Sequence, residues 1–377
     1  MKLTARQLNR ATLGRQMLLR RESMPVVDAV HRIVALQAQE PASPYLALWN
    51  RLVDFDPRDL DRAFADHAIV KATLMRVAMH AVEATDYPAF HEAMQRTLRG
   101  ARLNDRRFTS TGLTSADADA LIAEVAAFAS EGRTNAAMEA WLEKRLGAPK
   151  PRVWWALRHY GPFVHAPTGG PWSFGARPAY VAAREQRRWG DRAASMASLA
   201  HRYLEGFGPA SVHDFAQFAM VYRPDARAAL ESLGDAIEGL EGPDGVQLFD
   251  VPGGLLPAED TPAPPRLLGM WDETLLGHAD RSRIIPAAYR KHVTRINGDV
   301  LASVLVDGYV AGVWRPVESG IEVTAFHRLS DDAWHGLESE AGALVRFLAG
   351  REPIVYRRYA HWWSALPGAE IRVLAGS

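Results

Sequence analysis

Apolar residues recur at helical spacing through Val26, Val27, Ala29, Val30, Ile33, Val34 and Leu36, which predicts a helix over about Pro25–Leu36. The pattern gives out at Gln37-Ala38-Gln39-Glu40-Pro41. Pro41 disfavours the helical region for Glu40, so the backbone is expected to extend here. In a helix, residues 37 and 39 would point roughly 200° apart. In extended backbone they share a face, and both carboxamides could address one point in space. Two glutamines at a helix end are also commonly solvated or bound to loose backbone groups.

The same reading along the chain predicts short helices punctuated by small hairpins. Thr4-Ala5-Arg6-Gln7 is a capping-box pattern opening a helix through about Arg20, and a further helix starts near Pro57. Residues 69–75 and 77–82 then read as a strand pair. Helices followed by a hairpin is the winged-helix order. A second round has helices over 114–130, 134–146 and 150–159, then strand, glycine turn and strand over 161–174. A third has a helix over 191–205, a capping box at Ser211–Asp214, a helix over Pro224–Leu233 and a hairpin of 236–240 with 246–251. Beyond the linker Thr261-Pro262-Ala263-Pro264-Pro265 the period becomes that of strands, over 300–306, 309–314 and 321–326. A helix over 330–349 and a last strand follow. The fold class expected is α+β: tandem winged-helix units in a concave arrangement with a β-rich C-terminal region. The expected units are residues 1–100, which carry Gln37 and Gln39, then 101–190, 191–260 and 261–377.

Composition narrows the chemistry. A hydrophobic share of 48% and a charged share of 23% are those of an ordinary globular protein. No apolar run approaches the roughly 20 residues of a membrane span, and the N-terminus lacks a secretory apolar core. The absence of cysteine excludes disulfides, thiol nucleophiles and cysteine zinc sites, and suits the cytoplasm. Net charge is zero, but its distribution is uneven. Residues 281–295 carry five cations and no acid, 96–107 carry five arginines against Asp105 alone, and 231–260 carry acids without a base. Such segments either build a positive groove on a neutral molecule or pair locally. The lysines are confined to Lys2, Lys71, Lys144, Lys150 and Lys291, which leaves few amines for Schiff-base chemistry.

Walker A, dinucleotide-binding, Gly-x-Ser-x-Gly and His-Glu-x-x-His motifs are absent, and the histidines lack ligand spacing, so neither cofactor nor metal is expected. Trp154-Trp155 and Trp362-Trp363 could stack on bases, although bounded tryptophan pairs are more often core.

The order of motifs resembles the winged-helix DNA glycosylases typified by AlkZ. The resemblance rests on Leu36-Gln37-Ala38-Gln39-Glu40-Pro41 with Ser43-Pro44-Tyr45 and Leu48-Trp49, on Leu74-Met75-Arg76 with His80, and on Gly208-Pro209-Ala210-Ser211 with Asp214-Phe215. It continues through Trp271–Ser282, Val306-Asp307-Gly308 and Gly312-Val313-Trp314-Arg315. Gln-x-Gln looks like the AlkZ branch, whereas a sister branch carries Gln-x-Asp. Val77-Ala78 departs from the pattern, which has Gly-Thr there.

The resemblance implies a glycosylase acting on double-stranded DNA, and the scarcity of lysine suggests a monofunctional one that leaves an abasic site. It would excise cationic N7- or N3-alkylated purines and unhook interstrand crosslinks, with Gln37 and Gln39 as the catalytic pair. The chemistry is consistent. A carboxamide is a poor base, but an N7-alkylated guanine is already a good leaving group. Its sugar passes through an oxocarbenium-like state, which a positioned water and carbonyl dipoles assist. The chain is expected to act as a monomer without a membrane. The segment His278, Asp280, Arg281, Arg283 is the candidate DNA-contacting hairpin, or else a polar turn between core strands. The competing function is a non-enzymatic winged-helix regulator that binds DNA.

Overall fold

The computed structural model describes residues 2–184 and 191–375. The last residues of the expected second unit, 185–190, lie outside them.

Helix α1 (Ala5–Arg15) opens with the capping box of Thr4 and Gln7, a device that stabilises a helix end by about 1 kcal/mol. It stops at Arg15 rather than Arg20, because Met17 takes a left-handed φ of 53°. Every residue from Leu8 to Arg15 is buried, polar ones included. Those polar groups grip distant parts of the chain. Asn9 donates to the Gly308 carbonyl at 2.9 Å, and Arg15 forms a bidentate pair with Asp250 at 2.7 Å.

Helix α2 (Val26–Arg32) is also shorter than its apolar pattern. Val34 adopts φ 75° and turns the chain, so Leu36 and Gln37 become strand β1 (Leu36–Gln37). Helix α3 (Ser43–Arg51) follows, buried along its whole length. Strands β2 (Ile69–Thr73) and β3 (Met79–Glu83) complete a three-stranded antiparallel sheet of order β1-β3-β2. In it Gln37 lies opposite His80, and His80 opposite Ala72. The strand pair was expected; the third strand, which carries Gln37, was not.

Two further rounds follow. Helices Ser115–Phe128, Asn135–Leu146 and Pro151–Tyr160 precede the strands Phe163–Ala166 and Ala179–Ala182. The second strand comes later than expected. Residues 171–174 are drawn elsewhere instead, with Trp172 buried 5.1 Å from the Tyr45 ring and its indole donating to Glu352 at 2.6 Å. Helices Arg192–Phe207, Val212–Ala219 and Arg223–Ser232 then lead to the hairpin of Glu238–Glu241 with Gln247–Asp250. The Ser211–Asp214 capping box is present. The C-terminal region is a five-stranded antiparallel sheet packed on the helix Asp331–Ala349.

The interior does not divide at residue 261. One core joins Leu13, Val30, Leu36, Tyr45 and Leu46 to Leu268, Trp314, Trp334 and Leu344. A second core runs from Val34 and Val70 through Phe90, Trp154 and Tyr203 to Leu230. Strand β1 sits at the seam between them, with Leu36 in the first core and Ala35 in the second. Among the described residues no helix is long and apolar enough to cross a membrane.

Candidate active site

Gln37 lies in extended backbone, as the proline-limited pattern predicts. Strand pairing ends there, and Gln39 sits in the bend that follows. Gln37 is 6% exposed, whereas Gln39 is exposed. The Gln37 Oε1 accepts a hydrogen bond from the Gln39 backbone N–H at 2.8 Å, which also fixes which end of the Gln37 amide is oxygen. One carboxamide therefore serves as the floor of the bend, and the other stands on the surface above it. Ala38 N–H is held by the Met79 carbonyl at 2.8 Å.

A buried ion cluster supports Gln37 from β3. The His80 ring donates or accepts at both ends, with Nδ1 3.0 Å from the Ala78 carbonyl and Nε2 3.0 Å from Glu273 Oε1. Arg76 binds Glu273 through both carboxylate oxygens, at 2.6 and 2.9 Å. Burial pushes the Glu273 carboxyl up, but Arg76 and His80 outweigh it and hold the pKa below its usual value. A second buried pair, Arg51 with Asp272 at 2.8 Å, fastens α3 to the same segment. Behind Gln37 lies a narrow crevice, lined by Gln37, Ser43, Arg51, Trp271, Asp272 and Glu273. The roomier clefts lie elsewhere, one between Ser211, Arg227, Phe249 and Arg283.

Beyond Gln39, Glu40 accepts from the Tyr359 hydroxyl at 2.9 Å and pairs with Arg358. Burial raises its pKa in spite of those partners. Lys71, on β2, is 4% exposed with its ammonium 4.4 Å above the Phe174 ring. Burial brings its pKa down to about 8, opposed only by Glu40.

The proposed hairpin at 278–283 is not one. Arg281–Arg283 forms a single 3₁₀ turn, capped by Asp280, whose carboxylate accepts from the Ser282 N–H at 2.9 Å. His278 is buried, donating to the Phe207 carbonyl at 2.9 Å. It packs beside the Tyr203 and Phe207 rings, and burial together with Arg283 lowers its pKa to about 3. Arg283 donates to the Pro209 carbonyl at 2.9 Å. Two of the four nominated residues thus brace the interior. Asp280 is exposed, and Arg281 keeps a buried Nη1 without a hydrogen-bond partner, close to Arg76 and Glu273 in the same field.

The two basic segments resolve differently. None of Arg281, Arg283, Arg290, Lys291 and Arg295 forms an ion pair with a carboxylate among the described residues, although Asp214 acts on Arg283 and Glu273 on Arg281 through their charge. In the other, Arg96, Arg99 and Arg107 pair with Asp225, Asp119 and Asp105. Each tryptophan pair splits. Trp154 and Trp363 are core, while Trp155 and Trp362 are part-exposed beneath arginines. One histidine–carboxylate trio, His31, Glu83 and Asp86, comes together among the described residues. Arg202 already lies 3.4 Å from Asp86, so the trio belongs to an ion-pair network.

Arg76, His80 and Glu273 stood inside the sequence motifs but were not nominated. Their spacing along the chain carries no hint that they meet.

A sheet that presents Gln-x-Gln at its edge, clamped by Asp272 and Glu273, defines a class. The family model of the AlkZ-like DNA glycosylases matches residues 30–347, and the chain belongs to that family and is a DNA glycosylase. Among curated proteins it is 25% identical over 372 residues to an interstrand DNA cross-link repair glycosylase of Streptomyces sahachiroi, covering 92% of this chain and 97% of that one. Its fold is that of the S. sahachiroi DNA glycosylase AlkZ structure, with a TM-score of 0.77, 23% identity and coverage of 94% and 99% of the two chains. The mixed helix-and-sheet class expected from the pattern is therefore the observed one, and the regulator reading gives way to the enzyme.

Proposed function

We propose that the protein is a monofunctional glycosylase that hydrolyses the N-glycosidic bond of cationic N7- or N3-alkylated purines in duplex DNA, including purines tied into interstrand crosslinks. It would act as a cytoplasmic monomer. The observation that carries this reading is the hydrogen-bonded pair of Gln37 and Gln39, one buried and one on the surface.

The exposed Gln39 carboxamide meets the sugar, holding water on the face opposite the departing base. Gln37 fixes the backbone that carries it. As the C1′–N bond breaks, its electron pair neutralises the cationic purine. Water then bonds to C1′ and gives up its proton to solvent. No strong base is needed, because bond breaking runs ahead of attack. The carboxylate next in the chain, Glu40, is already held by Tyr359 and Arg358. Normal purines, which leave uncharged only after protonation, stay nearly inert.

The open position of Gln39 suits a crosslinked base. Extrusion into a deep pocket, the usual course for base-modifying enzymes, is obstructed when the base is tethered to the other strand. The nearby crevice is narrow, and Gln39 stands outside it.

The test is incubation with N7-methylguanine duplex and with a guanine N7 crosslink, followed by alkaline heating. Strand scission dependent on that heating is expected for both. Spontaneous nicking with a borohydride-trapped adduct would contradict monofunctional chemistry, and comparable release of undamaged purines would contradict the charge requirement.

A further inference from the structure

Five arginines crowd residues 96–107, and three of them pair with aspartates. Arg102 and Arg106 have no carboxylate among the described residues. Arg102 is half-buried, its Nε has no hydrogen-bond partner, and its guanidinium rests 4.9 Å from the centre of the Trp155 ring. Arg107 stacks on the same ring at 4.2 Å, so Trp155 is covered by two cations. Arg158 adds a third guanidinium, held by Asn135 at 2.9 Å and with a second unpartnered Nε. His159 is pushed down to about 3 by burial and then by Arg102, Arg158 and Arg107, which places all three in one electrostatic field. Among the described residues the one carboxylate paired within this group is Asp105.

Like charges this close repel one another. A guanidinium set over an indole, with no carboxylate paired to it among the described residues, is placed to meet an anion. The cluster is also joined to the catalytic sheet. The Thr73 hydroxyl of β2 lies 3.0 Å from His159 Nδ1, and β2 belongs to the sheet that carries Gln37.

We propose that Arg102, set on Trp155 beside the Asp105-paired Arg107, binds the backbone phosphates of the duplex arm on one side of the lesion. The proposal rests on the glycosylase reading and adds the surface that anchors the substrate. A guanidinium on a ring gives phosphate contacts and no base readout, so the arm would be gripped irrespective of sequence. For a crosslinked substrate, such an anchor would hold the duplex while the reacting nucleotide is presented to Gln39.

Fluorescence anisotropy with labelled duplex containing an abasic-site analogue tests it, using wild type, Arg102→Gln, Arg102→Lys and the surface control Arg58→Gln. Excision of N7-methylguanine by wild type is run in parallel. Arg102→Gln should weaken binding roughly three- to tenfold at moderate salt and shallow the log K against log salt slope by about one. Arg102→Lys should keep the slope, and Arg58→Gln should match wild type. Trimming the duplex on one side of the analogue should abolish the difference between wild type and Arg102→Gln, while trimming the other side should leave it. If wild type excises the base but Arg102→Gln binds with an unchanged slope, the phosphate anchor is wrong and the glycosylase reading stands. A deficit that persists whichever arm is trimmed also overturns the proposal, because it marks a structural role. If wild type excises nothing, the catalytic reading has failed, and the salt slopes still decide whether this surface holds DNA.

Discussion

Gln37 Oε1 accepts the backbone N–H of Gln39 at 2.8 Å, so the two glutamines form one mechanical unit. Removing the lower one releases the upper. Gln37→Ala should cost about 1 kcal/mol of stability and roughly a hundredfold in excision rate. Gln39→Ala should lose a similar rate with an unchanged melting midpoint. The double variant should fall well short of the product of the two effects, since the residues act together. Single-turnover excision of N7-methylguanine and thermal melts measure both; fully multiplicative losses would show two independent groups.

Glu273 is the keystone beneath that unit, buried between Arg76 and His80. Glu273→Gln leaves Arg76 without its counter-charge and should cost about 3–5 kcal/mol in urea unfolding at neutral pH. Because its folded pKa is lowered, its stabilising contribution is present above the ordinary carboxylate range. That contribution is lost as pH falls through the lowered value. The gap between wild type and variant should therefore close in acid, and a gap that widens would refute the assignment.

Lys71 works in the opposite sense. Its pKa of about 8, against an ordinary 10.5, means the unfolded chain binds the extra proton between those values. Stability should rise with pH across that window, as burial of the ammonium ceases to be penalised. Lys71→Met should stabilise the protein by up to about 3 kcal/mol at neutral pH, and much less near the top of the window. Melting curves of both proteins across the range are the measurement.

Val77 adopts φ 56°, a left-handed conformation in which a β-branched side chain is strained. The related glycosylases are expected to carry glycine there. Val77→Gly should relieve roughly 1 kcal/mol, net of the entropy glycine loses on folding. A rise in urea midpoint with an unchanged m-value would show it, and a fall would mean the side chain packs better than its backbone allows.

Periodicity placed most helices and four of the five strands of the C-terminal sheet, missing Arg266–Leu268, since each placed element buries one face of a regular pattern. It overran at α1 and α2, where Met17 and Val34 turn the chain through left-handed backbone that no apolar pattern announces. The extended state of Gln37 was legible from Pro41, but its burial and the exposure of Gln39 were not, because both depend on pairing with β3. The basic segments were visible as composition only. Whether an arginine is paired depends on acids such as Asp119 and Asp225, which lie in other helices. The same blindness misassigned His278 and Arg283: a polar run looks alike whether it faces DNA or the Phe207 and Pro209 carbonyls.

The core shared between residues 13–69 and 267–374, with the Arg76–Glu273 and Arg51–Asp272 pairs crossing it, sets an order of events during synthesis. The glutamine strand leaves the ribosome early, but the groups that shape it arrive only with the last third of the chain. A chain lacking residues 267–374 therefore keeps Gln37 and Gln39 but loses Asp272 and Glu273, the carboxylates that hold Arg51 and Arg76 around their strand.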